Sequence, residues 1–109
     1  MPALKELGER EILRRITAQL EGHATLQIGI GDDAAVATPP PGMDLVLTTD
    51  PVIEGVHFER GTPGQLIGSK VAGRCLSDLA AMGAQPLWFL LNLVAPETES
   101  LDQIAALME

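Results

Sequence analysis

The stretch from Thr62 to Met82 constrains the fold more than any other part of the chain. Thr62-Pro63-Gly64-Gln65 offers a capping box with proline at the first helical position, and Gly83 stops the helix that follows. At 100° per residue, with Val71 as origin, Ile67, Cys75, Met82 and Leu79 fall at roughly −40°, +40°, +20° and +80°. Asp78 falls at roughly −20°, inside this apolar stripe. A carboxylate there has to be paired, coordinated or neutralised, because burying it bare is very costly. Two readings stand side by side. One is an ion pair with Arg74 one turn earlier, at the i, i+4 spacing. The other is a metal ligand where the helix meets a sheet.

The rest of the chain supplies candidates for that sheet. Leu4, Leu7, Ile12, Leu13, Ile16 and Leu20 recur at near-helical spacing over residues 4–20, and Gly22 ends the run. From Leu26 the pattern alternates, with Leu26, Ile28 and Ile30 on one side, and the strand runs into Asp32-Asp33. A Pro/Gly connector, Thr38 to Asp44, leads to a second strand, Leu45 to Thr49, with an extension from Val52 to Phe58. Pro86 opens a third apolar run, Leu87 to Val94, short enough for a buried strand, with Trp88 and Phe89 read as core. Ser100 and Gln103 make a capping box for the last helix. The order is α-β-β-α-β-α, an α+β or α/β sandwich with a mixed or antiparallel sheet and helices on one face.

The chain has 109 residues, room for one domain spanning 1–109 and not for two. A domain of that size buries only about 60–65% of its unfolded surface. The helical run that ends at Glu109 has no Gly or Asn cap, so the sequence reads as a fragment or as a chain completed by a partner. With 7 basic and 15 acidic residues the net charge is −8, and no Lys/Arg cluster offers a footprint for nucleic acid or an anionic membrane. No apolar run approaches a membrane span, and the charged N-terminus lacks the apolar core of a signal peptide. The single cysteine, Cys75, excludes an internal disulfide and reads as a small buried residue. A soluble, cytoplasmic protein is expected.

Three acidic positions sit at the ends of elements. In Gly29-Ile30-Gly31-Asp32-Asp33 the glycines let a ligand approach the backbone, and adjacent carboxylates repel unless a cation lies between them; an Asp-rich turn is the plain alternative. Thr48-Thr49-Asp50 brings hydroxyls beside a carboxylate, the hard oxygen donors that Mg²⁺ prefers, although Thr is also a good strand residue and Asp-Pro a common turn. Asp78 is the third. Carboxylates hold phosphates only through bridging divalent metals, so an acidic site implies Mg²⁺ with a nucleotide or phosphoester. No Walker A loop and no Cys/His spacing for zinc is present. His57, in Glu54-Gly55-Val56-His57-Phe58, is a general base, a substrate contact or a packed histidine.

Three segments together, Gly29-Ile30-Gly31-Asp32-Asp33-Ala34-Ala35, Leu47-Thr48-Thr49-Asp50 with Glu54-Gly55-Val56-His57-Phe58, and Leu76-Ser77-Asp78-Leu79-Ala80-Ala81-Met82-Gly83-Ala84, resemble the N-terminal domain of thiamine-monophosphate kinases, within the aminoimidazole ribonucleotide (AIR) synthetase superfamily. The resemblance runs from about Gly8 to the chain end. It implies transfer of a phosphoryl group from ATP to thiamine monophosphate, giving thiamine diphosphate, with several Mg²⁺ ions. It makes Asp33, Thr48, Thr49, Asp50 and Asp78 metal ligands, with Asp33, Asp50 and Asp78 holding ATP through Mg²⁺. Transfer would be metal-assisted through Asp50 and Asp78, and His57 would contact the substrate. It also implies a homodimer in which two sheets close into a barrel. The family continues with a Gly-Gly-Asp-Thr segment and a C-terminal α/β domain, both absent from this sequence along with a fourth strand. Two alternatives stand beside the kinase: a non-catalytic dimerisation or binding module of the same fold, and a superfamily enzyme with another phosphate acceptor.

Overall fold

The computed structural model describes residues 2–20 and 22–109. Its regular elements are α1 (Glu9–Ile16), β1 (Leu26–Ile28), β2 (Val36–Ala37), α2 (Gly64–Ala81) and α3 (Leu101–Leu107), after a short 3-10 turn at Leu4–Glu6. The chain is α+β. β1 and β2 form an antiparallel pair, with Leu26 opposite Ala37, Ile28 opposite Val36 and a register shift between them. Residues 29–35, with both glycines and both aspartates of the GIGDD stretch, are therefore the loop of a hairpin. Gly31 sits at φ 114°, open to glycine and strained for other residues.

The single helix expected over 4–20 is corrected to two pieces. Backbone bonds from Leu4 N–H to the Glu99 carbonyl (2.8 Å), Lys5 N–H to the Glu97 carbonyl (2.8 Å) and Leu101 N–H to the Pro2 carbonyl (2.9 Å) tie the first residues to the start of α3. Leu7 is extended, Gly8 caps α1, and Thr17 rather than Gly22 closes it. On α1 the Arg14 and Arg15 side chains donate to Glu11 and lower its carboxyl from 4.5 to about 2, the Arg14 hydrogen bond acting most. The folded value is depressed, so this contribution is complete above pH 4.5 and is lost as the pH falls towards 2. Circular dichroism at 222 nm from pH 5 to 2 should show a small helix loss that Glu11→Gln makes independent of pH.

α2 ends as its sequence predicts. Gly83 is left-handed at φ 68°, its N–H donates to the Ala80 carbonyl and the Ala84 N–H to that of Leu79, which satisfies the last turn. Its start differs. Pro63, not Thr62, holds the cap position, and the Thr62 hydroxyl donates to the Glu59 carbonyl instead. The orphan Gly64 N–H is met from another helix: it donates to Gln103 Oε1 (3.0 Å), while Gln103 Nε2 donates to the Thr62 carbonyl (2.6 Å). At the start of α3 Ser100 Oγ accepts from the Gln103 N–H, the first half of the expected capping box. The second half is absent, because the Gln103 side chain serves α2 and the Ser100 N–H donates to Glu99 Oε1, so one glutamine joins both helix starts.

That joint is where the core sits. Ile67 of α2 and Leu101 and Ile104 of α3 are buried, and Gly64 is buried with them. Gly64 and Gly68 lie one turn apart on the face that meets α3, and a Cβ on either would collide with α3 backbone, at the carbonyls of Gln103 and Leu107 respectively. Only the first turns of α2 are covered in this way. Asp78, at the uncovered end, is exposed, so no burial penalty acts on it; Cys75 is half-buried.

The stretches 45–49 and 87–94 carry no strand: among the described residues neither bonds to a neighbouring strand, and a ladder needs a partner. Most of their apolar side chains stay in solvent, with Leu47 84%, Leu90 92% and Val94 91% exposed, while Leu87 is half-buried. Phe89 is exposed rather than core, and Trp88 is half-buried with Nε1 donating to Thr25 Oγ1 (2.8 Å). The radius of gyration, 15.4 Å, exceeds the roughly 13 Å of a compact domain of this length. The accessible surface is 8366 Å², against about 5,800 Å² for a compact protein of this mass.

Candidate functional site

The exposed half of α2 and the segment after the Pro/Gly connector form an open cleft of about 420 Å³, lined by Asp50, Lys70, Gly73, Arg74, Ser77 and Asp78. A helix returns residues 70, 74, 77 and 78 to one side, because 3.6 residues make a turn. Asp50 comes from the Thr48-Thr49-Asp50 stretch, held against that side by two contacts. The Thr48 hydroxyl donates to Asp78 Oδ2 (3.2 Å). Arg74 donates to Asp50 twice, Nε to Oδ2 at 3.1 Å and Nη2 to Oδ1 at 2.9 Å.

The second contact resolves one alternative left by the sequence. Arg74 pairs with Asp50, 24 residues upstream, and not with Asp78 one turn on. Among the described residues Asp78 has no ion-pair partner, and its recorded bond is the one from Thr48.

His57 stands at the edge of this assembly. Its Nδ1 accepts from the Ile53 N–H (2.9 Å), so a neutral ring carries its proton on Nε2 and offers a donor there. Its carbonyl accepts from Lys70 Nζ, which ties the Glu54–Phe58 turn to α2. Gly55 in that turn has φ 81° and its N–H donates to the Phe58 carbonyl (2.7 Å).

Asp33 is not part of the cleft. It lies in the β1–β2 loop, in a second concavity shared with Asp32, Gly31, Glu9, Arg10 and Leu13. Among the described residues Thr49 makes no side-chain hydrogen bond, and neither it nor Thr48 lines the cleft, but Thr48 is tied to it through Asp78. The structure therefore brings together Thr48, Asp50 and Asp78, with His57 adjacent through Lys70, and leaves Asp33 and Thr49 outside. The sequence reading missed Lys70 and Ser77, although the helical wheel that placed Asp78 puts Ser77, Lys70 and Arg74 on one arc at roughly −120°, −100° and −60°.

Among the described residues no three His, Cys, Asp or Glu side chains converge as a ready-made metal cage. The donor set still suits a hard cation. Mg²⁺ keeps much of its water and binds through one or two carboxylates plus a substrate's phosphates; two carboxylates line the cleft, and the Thr48 hydroxyl is bonded to one of them.

The family model described as AIR synthase related protein, N-terminal domain, matches residues 31–109. The chain belongs to this family. The matched region includes Asp33, Thr48, Thr49, Asp50, His57 and Asp78. Within the family the chain is similar to proteins named thiamine-monophosphate kinase. It is 43% identical over 100 residues to that of Synechococcus elongatus, covering 91% of this chain and 29% of the relative. Identity is 36% over 94 residues with that of Haemophilus influenzae (85% and 29%) and 33% over 104 residues with that of Bacillus subtilis (94% and 32%). The chain thus spans about a third of the length of the curated relatives it matches. No solved structure matches it. No helix among the described residues is long and apolar enough to cross a membrane.

Proposed function

We propose that this chain is the metal- and nucleotide-binding part of a kinase that moves a phosphoryl group from ATP to thiamine monophosphate, giving thiamine diphosphate and ADP. The observation that carries the reading is that Asp50 and Asp78, from two segments distant in sequence, line one open cleft, with the Thr48 hydroxyl bonded to Asp78. The name of the relatives, thiamine-monophosphate kinase, supports the acceptor, and ATP is the donor a kinase ordinarily uses.

Asp50 and Asp78 would hold Mg²⁺ with help from the Thr48 oxygen. Thr49 and Asp33, which lie outside the cleft in this structure, would join only after the 48–50 stretch and the β1–β2 loop shift towards it. Mg²⁺, when bound, neutralises charge on the phosphates and orients them for in-line attack. The chain's own residues do the rest. Lys70 and Arg74 add positive charge beside the phosphates, and His57 offers Nε2–H to the acceptor substrate. The chain folds as one domain over 1–109, the N-terminal part of a longer kinase, and works in the cytoplasm, where ATP is made available.

A second copy of the chain completes the fold. Stretches 45–49 and 87–94 become strands of a mixed or antiparallel sheet, helices on one face, when a partner sheet covers Leu47, Leu90 and Val94. The excess of exposed surface supports this reading.

Phosphorus NMR of the chain with ATP, thiamine monophosphate and Mg²⁺ tests the proposal. Growth of thiamine diphosphate and ADP signals means a working site within the 109 residues. Mg²⁺-dependent broadening of ATP without turnover means a binding half-site that needs further chain. ATP signals unaffected by the protein overturn the reading in favour of a dimerisation module.

A further inference from the structure

Asp50 is the one cleft carboxylate with a cation already on it. The guanidinium of Arg74 takes both of its oxygens in a fork, at 2.9 and 3.1 Å, and the two side chains are 34% and 24% exposed. The fork occupies the edge of the carboxylate that a chelating ion would use. Charge accounting gives the same picture: Asp50 and Asp78 are balanced in the cleft by Lys70 and Arg74. A divalent cation added beside Asp50 with the fork in place would lie next to a like charge in a half-buried position.

We propose that Arg74 is a built-in counter-ion that holds the Asp50 carboxylate before metal arrives and is exchanged for the incoming divalent cation. This rests on the reading of Asp50 as a metal ligand. Arg74 stands one turn from both Lys70 and Asp78, so the released guanidinium stays over the cleft beside Lys70. Both cations are then available to the phosphates that a metal–nucleotide complex carries. The exchange thus swaps one positive charge on Asp50 for two, and turns Arg74 from a partner of the protein into a partner of the ligand.

The consequence runs against the usual effect of deleting a side chain from a site. Arg74→Gln should bind Mn²⁺ alone more tightly than the unaltered chain, by roughly five- to ten-fold, because no ion pair has to break first. Binding is followed by the loss of the free Mn²⁺ electron paramagnetic resonance signal, with circular dichroism as the folding control. Arg74→Lys keeps the charge but not the fork, and should gain about two-fold; it carries the test alone if Arg74→Gln does not fold. Adding Asp50→Asn to either variant should erase the gain. Equal or weaker Mn²⁺ binding by folded Arg74 variants overturns the exchange and leaves the metal role of Asp50 standing. Absence of Mn²⁺ binding by the unaltered chain and every variant overturns the metal role itself, and the exchange with it.

Discussion

Asp78→Asn is expected to weaken Mg²⁺-dependent ATP binding by roughly a hundred-fold or more while leaving the fold intact. Loss of an outer-shell partner already costs 10–100-fold in metal affinity in general, and a direct ligand costs at least as much. Stability should hold because Asp78 is exposed and its recorded bond, 3.2 Å from the Thr48 hydroxyl, can be kept by the Asn carbonyl oxygen. The change in stability should lie within about 0.5 kcal/mol. Asp50→Asn makes the contrast. It loses binding too, but also breaks the Arg74 pair, which costs about 1 kcal/mol for a half-buried pair of this kind. Calorimetric titration with Mg²⁺-ATP beside thermal melts of both variants separates the effects. Unchanged binding by Asp78→Asn would make Asp78 an ordinary surface residue.

The largest effect on stability is expected from Gly68→Ala. An alanine inside a helix normally gains about 1 kcal/mol over glycine. Here the added Cβ would meet the Leu107 carbonyl of α3, backbone that cannot swing aside as a flexible side chain does. Overpacking of this sort costs about 1–3 kcal/mol, occasionally more, and it falls on the one joint that holds Ile67, Leu101 and Ile104 out of water. The melting temperature should drop by roughly 10 °C, at 4–8 °C per kcal/mol for a domain of this size. Gly73→Ala, five residues on in the same helix, is the control: nothing lies within 4 Å of its Cβ, and it should raise stability by about 0.5–1 kcal/mol. If both substitutions stabilise, α2 and α3 do not approach as described.

Local chemistry was the readable part of the fold. Gly83 ends α2 and Ser100 caps α3 because each signal acts within a few residues, through a left-handed glycine and a side-chain acceptor. Thr62 fails as a cap because its hydroxyl turns back to the Glu59 carbonyl, and the Gly64 N–H is met instead by Gln103, 39 residues on, a partner no local rule contains. The Gly64-x-x-x-Gly68 spacing could have announced the close helix approach, since residues four apart share a face. Apolar runs at 45–49 and 87–94 carry strand patterning, but pattern cannot supply the neighbour that a ladder requires.

The candidate site divides along the same line. Asp50 and Asp78 stand out in the sequence as acids at element ends, yet their meeting depends on the path of the chain between them. Spacing allows an Arg74–Asp78 pair and a metal role for Asp78 equally, whereas the guanidinium reaches across to Asp50. Asp33 resembles the other two in its setting, but the hairpin loop carries it to the α1 side.

The position at which a divalent ion binds decides whether Asp50 and Asp78 form the site. Mn²⁺ added in trace amounts to ¹⁵N-labelled protein broadens amide signals near it, and the amides of 48–50 and 77–78 are predicted to fade first, with Asp33 following. First loss at the Glu9–Arg10 concavity alone, or fading without preference across the acidic surface, would contradict the site.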